Sequence, residues 1–158
     1  MQKVKWVQLI YKVPQSPTSK RVREKVKVDR VACPWLIKKF IDPEAEFVFV
    51  PGNTDPSTID YGITYDMKGV ELGYHGDGCS FDAFMKKYNL GEDPVLVELQ
   101  KIVRGADTKK FDGNPMAEAL AKIASGFSLM CKDDYEVHEK EFPMYDALYT
   151  YLKSQLSK

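Results

Sequence analysis

The sequence has 158 residues, the length of one domain and enough to bury a core. Apolar residues at 44% and charged residues at 29% exclude a wholly disordered chain, and 23 Lys+Arg against 23 Asp+Glu give no net-charge argument for a nucleic-acid or membrane partner. No apolar run approaches the ~20 residues of a spanning helix, and residues 1–6 lack the apolar stretch of a secretory signal.

Residues 4–12 are rich in β-branched and aromatic side chains and predict a strand. Residues 13–27 hold Pro14, Pro17 and a basic run from Lys20 to Lys27, which reads as a linker or exposed arm; the run is open to nucleic acid but suits a solvated connector better. A compact domain then starts near Val28. Asp29 or Cys33 opens a helix with Pro34 in its first turn, Trp35, Leu36, Ile37, Phe40 and Ile41 form its apolar face, and Asp42-Pro43 stops it. A short strand over 47–50 closes at Pro51-Gly52. Residues 63–67 and 70–74 predict the two strands of a hairpin across Lys68-Gly69.

Helices dominate the second half. Ser80 can cap one whose Phe81, Phe84, Met85 and Tyr88 share a face. Asp93-Pro94 and Asn114-Pro115 are cap-plus-proline starts, and Asp133 or Asp134 opens a last helical region that Pro143 should kink or split. The expected class is α+β, with a small, mainly antiparallel sheet in the first half and a helical bundle from the second half packed on it. Residues 1–27 form an N-terminal strand and basic linker, and residues 28–158 form the domain. Cys33, Cys79 and Cys131 are odd in number and form no Cys-x-x-Cys pair. They suit a reducing cytoplasm better than a disulfide framework or a thiolate zinc site.

The densest chemistry lies over residues 69–82, where four glycines, Glu71, His75, Asp77, Cys79 and Asp82 fall within one stretch. Glu71 and His75 share a face whether the segment is a strand or a helix. A carboxylate and an imidazole on one face suit a divalent metal or a proton-transfer pair; the plainer alternative is a salt-bridged pair beside a glycine turn. Asp107 follows a helix that runs to about Arg104, where a negative charge is disfavoured by roughly 0.3–1 kcal/mol. A bound cation or neutralisation by Arg104 accounts for it. Cys33, if it sits at a helix start near Arg30, gains thiolate character; otherwise it is a small core residue. Cys79 can reach the same pocket, and His138 falls in register with Tyr135 and Phe142, as a packing residue does. Arg30 and Arg104 can fork onto an oxyanion.

Four blocks, residues 28–47, 69–82, 102–108 and 145–149, resemble the ChrB-type chromate-resistance domain in the family's order, from Val28 to Leu152. The resemblance implies a bacterial or archaeal protein linked to chromate tolerance. Longer members carry this domain behind an N-terminal regulatory domain and are associated with chromate-responsive control of an efflux pump, and shorter relatives have been described as superoxide-dismutase-like or chromate-reducing. The polar positions matched are Asp29, Arg30, Glu71, His75, Cys79, Asp82, Arg104 and Asp107. Arg104 stands where many relatives have histidine, and Asp133-Asp134-Tyr135 where many read Asp-Asp-His. Residues 6–14 and 16–21 resemble the first strand of the regulatory domain, as in a shortened N-terminus. With unpaired edges, that strand is expected to dock on the small sheet, pair with a second copy or stay mobile.

The resulting expectation is a cytoplasmic domain in which Glu71, His75 and Asp107 hold iron, manganese or zinc, or help bind an oxyanion such as chromate. Arg30 or Arg104 would steer the anion, and Cys33 or Cys79 would donate electrons if the site is redox-active. No membrane partner is expected, and the shortened form argues against nucleic acid. A homo-oligomer through the N-terminal strand is one further expectation. The rival is a non-catalytic chromate or metal sensor.

Overall fold

In the computed structural model, which describes residues 3–9 and 28–158, three short strands come together around the first. β1 (Lys5–Leu9) lies in the middle, with β2 (Glu46–Val50) on one side and β3 (Ile63–Thr64) on the other. Both pairings are parallel, Lys5 opposite Glu46 through Leu9 opposite Val50, and Trp6 and Val7 opposite Ile63 and Thr64. The sheet is therefore not antiparallel as the sequence suggested. Parallel neighbours need a crossover, and the helix after Val28 lies between β1 and β2 in the chain. Both edges of β1 are used within the chain.

The expected hairpin does not form. Past Thr64, only an isolated bridge joins Tyr65 to Leu72. Asp66 turns the chain at φ 51° and Gly69 at φ 81°, and the Gly73 N–H closes onto the Val70 carbonyl at 3.1 Å. A Cβ at Gly73 would stand 2.1 Å from the Met67 carbonyl oxygen, so the loop folds tightly on itself. The alternation over 70–74 marks one side of this loop as buried, not a strand.

α1 (Asp29–Leu36) continues as a π turn over Ile37–Ile41, closed by Asp42 N–H donating to the Ile37 carbonyl at 2.7 Å. Its start at Asp29 puts Cys33 and Pro34 in the second turn, so Cys33 is not at a helix start. Pro34 cannot donate to the Arg30 carbonyl. The imidazole of His138 hydrogen-bonds the Arg30 backbone instead. That is how a buried helix tolerates a proline here.

Four helices follow: α2 (Ser80–Lys87), α3 (Pro94–Thr108), α4 (Pro115–Met130) and α5 (Asp134–Leu156). Asp93 and Asn114 cap α3 and α4 as the cap-plus-proline pattern predicts, with Asp93 Oδ1 2.8 Å from Val95 N and Asn114 Oδ1 3.0 Å from Met116 N. α5 runs unbroken through Pro143, which is exposed together with Glu139, so water can satisfy the carbonyl that proline leaves unpaired. α1 packs on α5 and α2, and α3 packs on α4 and α5. The main core joins Trp6 and Tyr65 at the sheet to Trp35, Phe84, Leu99 and Tyr145 on the helices.

Candidate functional site

Glu71, His75, Cys79 and Asp82 do come together, with Lys86 and Lys87, along an open groove of about 640 Å³ beside α2. They meet in a loop and not on one strand. His75 Nε2–H donates to the Glu71 carbonyl at 2.9 Å, while the Glu71 carboxylate turns away to Lys87 Nζ at 2.7 Å. That hydrogen bond raises the Lys87 pKa above its ordinary value. The Glu71 side chain is 74% exposed, so the pair contributes little to stability. Asp82 accepts from Arg104 Nε and Nη2, at 3.0 and 2.6 Å, and from Gln100 Nε2 at 2.6 Å. Its other task is local: Oδ2 takes the Cys79 N–H at 2.9 Å, so α2 is capped at Cys79 by Asp82. Ser80, expected as the cap, points inward instead.

Asp107 belongs to a different place. Its Oδ1 accepts the Asp29 N–H at 3.1 Å, so the carboxylate at the end of α3 faces the N-terminus of α1, where the dipole favours it. This resolves its apparent misplacement, while Arg104 pairs with Asp82. Asp29 repeats the device: fully buried, it accepts the Ser80 N–H at 2.6 Å and a second bond from the Phe81 backbone at the start of α2. Ser80 Oγ then donates to Asp66 Oδ1 at 2.8 Å. Two inter-helix caps and a hydroxyl bridge thus join α1, α2, α3 and the turn after β3. Burial, then the Asp107 and Asp66 charges, raises the Asp29 pKa well above the carboxylate range.

The expected metal set is consequently divided between groove and interior: Glu71 and His75 line the groove, and Asp107 caps α1. Among the described residues, no three His, Cys, Asp or Glu side chains form a metal-ligating group. Glu71, His75 and Asp107 do not fit an iron, manganese or zinc site in this arrangement. The thiols differ from expectation too. Cys33 is fully buried, and burial followed by the Asp29 and Asp66 charges pushes its pKa well up; Cys79 is raised by burial, Asp29 and Asp82. Both keep their protons at neutral pH, which makes them weak nucleophiles.

A second polar group was not apparent from sequence. Arg30 and Tyr65 put part of it at the carboxyl ends of β1 and β3, the edge where open sheets with helical crossovers hold ligands. Arg30 donates through Nη2 to the carbonyl of Leu9, the last residue of β1. The same guanidinium lies within electrostatic reach of Tyr65, just after β3, and of His138 on α5. The Tyr65 and Tyr145 hydroxyls, both amide atoms of Gln8, His138 Nε2 and Glu141 Oε1 are buried without a hydrogen-bond partner. Buried polar atoms are paired in more than about 90% of cases, so each of these atoms calls for a partner such as water or a ligand. Burial raises the Glu141 pKa to about 8 and lowers that of His138 to about 4. His138 packs as its register predicted, its ring 5.3, 5.2 and 5.1 Å from Phe47, Phe49 and Phe142.

The family described as ChrB, C-terminal domain, matches residues 21–152. This chain belongs to that family. It is 33% identical over 135 residues to Protein ChrB of Cupriavidus metallidurans strain CH34, covering 84% of this chain and 40% of that protein. The chain thus spans two-fifths of the length of this relative. No solved structure matches significantly. In this ChrB-family fold, Glu141 carried a legible signal: it lies four residues after Val137 and four before Tyr145, both on the buried stripe of α5. Gln8, Tyr65 and Tyr145 carried none, because an aromatic or amide in a core segment looks the same whether or not its polar atom has a partner. Among the described residues, no helix is long and apolar enough to cross a membrane.

Proposed function

We propose that this ChrB-family chain serves chromate tolerance as an oxyanion-binding module, and that the anion binds beyond the sheet's carboxyl edge, beside Arg30. The unpartnered buried hydroxyls of Tyr65 and Tyr145, with the Gln8 amide, carry the proposal. Hydroxyl and amide N–H donors suit the acceptor oxygens of a tetrahedral anion, and the Arg30 guanidinium supplies charge. Arg30 keeps the anion-steering role expected of it, whereas Arg104 is engaged with Asp82.

The binding reading is favoured over a thiol-driven redox reaction because Cys33 and Cys79 hold their protons. Equilibrium dialysis with chromate tests it. Saturable binding by the wild-type chain is expected, weakened about 10- to 150-fold in Tyr65→Phe and in Tyr145→Phe, the equivalent of one lost hydrogen bond to a charged group. No saturable binding, or binding indifferent to both substitutions, overturns the proposal. Chromate consumption by the wild type that Cys33→Ser abolishes would replace it with the redox reading.

A further inference from the structure

The solvent face of α4 carries a feature that neither the fold nor the anion site uses. Met116, Ala119, Ile123, Gly126 and Met130 follow one another at spacings of three, four, three and four residues, the repeat of a helix-pairing seam. Met116 is half-buried; the other four are exposed, Ile123 at 44% and Met130 at 63%, and Leu129 beside them is 50% exposed. The core face of the same helix is a different one, formed by Ala117, Leu120, Ala124 and Ser128. Glu118 and Lys122 lie at one edge of the seam and pair with each other at 3.0 Å. Lone exposed apolar residues are ordinary on a protein surface, but an unbroken apolar line along a helix is what a partner covers. Gly126 is an independent sign. Glycine is among the least favourable residues within a helix, and a Cβ here would meet nothing within 4 Å, so packing inside the chain gives no reason for it.

We infer that α4 pairs with α4 of a second copy of this chain, antiparallel about a two-fold axis level with Ala124 and Ser125. That operator sets Ile123 opposite Gly126 of the other copy and Ala119 opposite its Met130, so every large side chain of the exposed seam meets a small one. Gly126 then has a purpose, since it receives the isoleucine. Parallel pairing would instead set glycine on glycine and isoleucine on isoleucine, a gap beside a bulge. With Glu118 neutralising Lys122 alongside, the pairing buries no lone charge. α4 has 16 residues, so the seam is about 24 Å long and belongs at the small end of specific interfaces. The dimer is therefore reversible, with a Kd on the order of 10–100 μM. It involves neither β1, both of whose edges are paired within the chain, nor the anion site.

Sedimentation equilibrium on the whole chain, from about 5 to about 500 μM to bracket that Kd, tests the pairing. The weight-average mass should rise with concentration from 18.0 kDa toward twice that value. Ile123→Lys and Gly126→Lys each put a lone charge into the seam and should weaken self-association at least about tenfold. Both positions are exposed, so in dilute solution neither variant should lower the urea midpoint. Under a mild thiol oxidant, Ala119→Cys mixed with Met130→Cys should give a crossed disulfide, while neither variant should link to itself, because like positions stand ~16 Å apart along the axis. A mass of one chain at every concentration overturns the pairing, as does a dimer that survives both lysine variants. A lowered urea midpoint in both lysine variants with no change of mass would mean that the chain covers this face itself, and self-linked Ala119→Cys would mean a parallel pair; either result overturns it.

Discussion

His138 gives the sharpest test of the interior. Its ring is buried among Phe47, Phe49 and Phe142, and burial is the main cause that lowers its pKa from 6.5 to about 4; the Arg30 charge adds to this, and the hydrogen bond to the Arg30 backbone opposes it. The native state therefore binds fewer protons than the unfolded state between those values. Stability is fully present above about pH 6.5 and is drawn down as pH falls toward and through about 4. The difference between 6.5 and about 4 corresponds to as much as about 3 kcal/mol, at ~1.4 kcal/mol per pH unit. His138→Gln retains an N–H for the Arg30 carbonyl but does not titrate. In urea unfolding at a series of pH values, the wild type should lose up to about 3 kcal/mol relative to the variant between about pH 7 and about pH 4. Groups such as Glu141, common to both proteins, cancel in that difference. Parallel stability curves for the two proteins would refute a neutral, buried His138.

Asp82→Asn should destabilise by about 1–2 kcal/mol in denaturant unfolding, because it weakens both the cap on Cys79 and the fork to Arg104. Burial opposes ionisation of Asp82, but the bonds from Arg104, Cys79 and Gln100 outweigh it and hold its pKa below the ordinary value. Its contribution is thus present above about pH 4 and lost as pH falls through the native value, a dependence that the asparagine variant should lack. Gly73→Ala drives a methyl into the Met67 carbonyl and should cost more than about 2 kcal/mol; an unchanged melting temperature would show that the 66–73 turn is not packed as described. A thiol-specific disulfide reagent at neutral pH should leave Cys33 and Cys79 unmodified until the chain unfolds, and rapid labelling of either would contradict their burial.

The helical half was largely legible because its signals are local. Asp93-Pro94, Asn114-Pro115 and the apolar spacing of α2 and α3 act within one or two turns, and neighbours in sequence decide them. The alternation over 70–74 correctly marked buried Leu72, yet period two does not distinguish a strand from a loop with one buried side. Sequence put the Glu71 carboxylate and the His75 imidazole on one face; both residues line the groove, but His75 bonds the Glu71 carbonyl while the carboxylate turns to Lys87. Tertiary structure decided the rest. Asp107 becomes a cap for a helix 78 residues away in sequence, Asp29 caps another 51 residues on, and Arg104 chooses Asp82 over its near neighbour. Whether a buried hydroxyl, amide or carboxyl has a partner depends on which distant segments close over it. That is why Gln8, Tyr65 and Tyr145 emerged only in three dimensions. Sequence by itself determined the capped starts of α3 and α4 and the polar residues matched to the family; the fold decided which of those residues meet, because parallel pairing and inter-helix capping join parts of the chain that no local pattern connects.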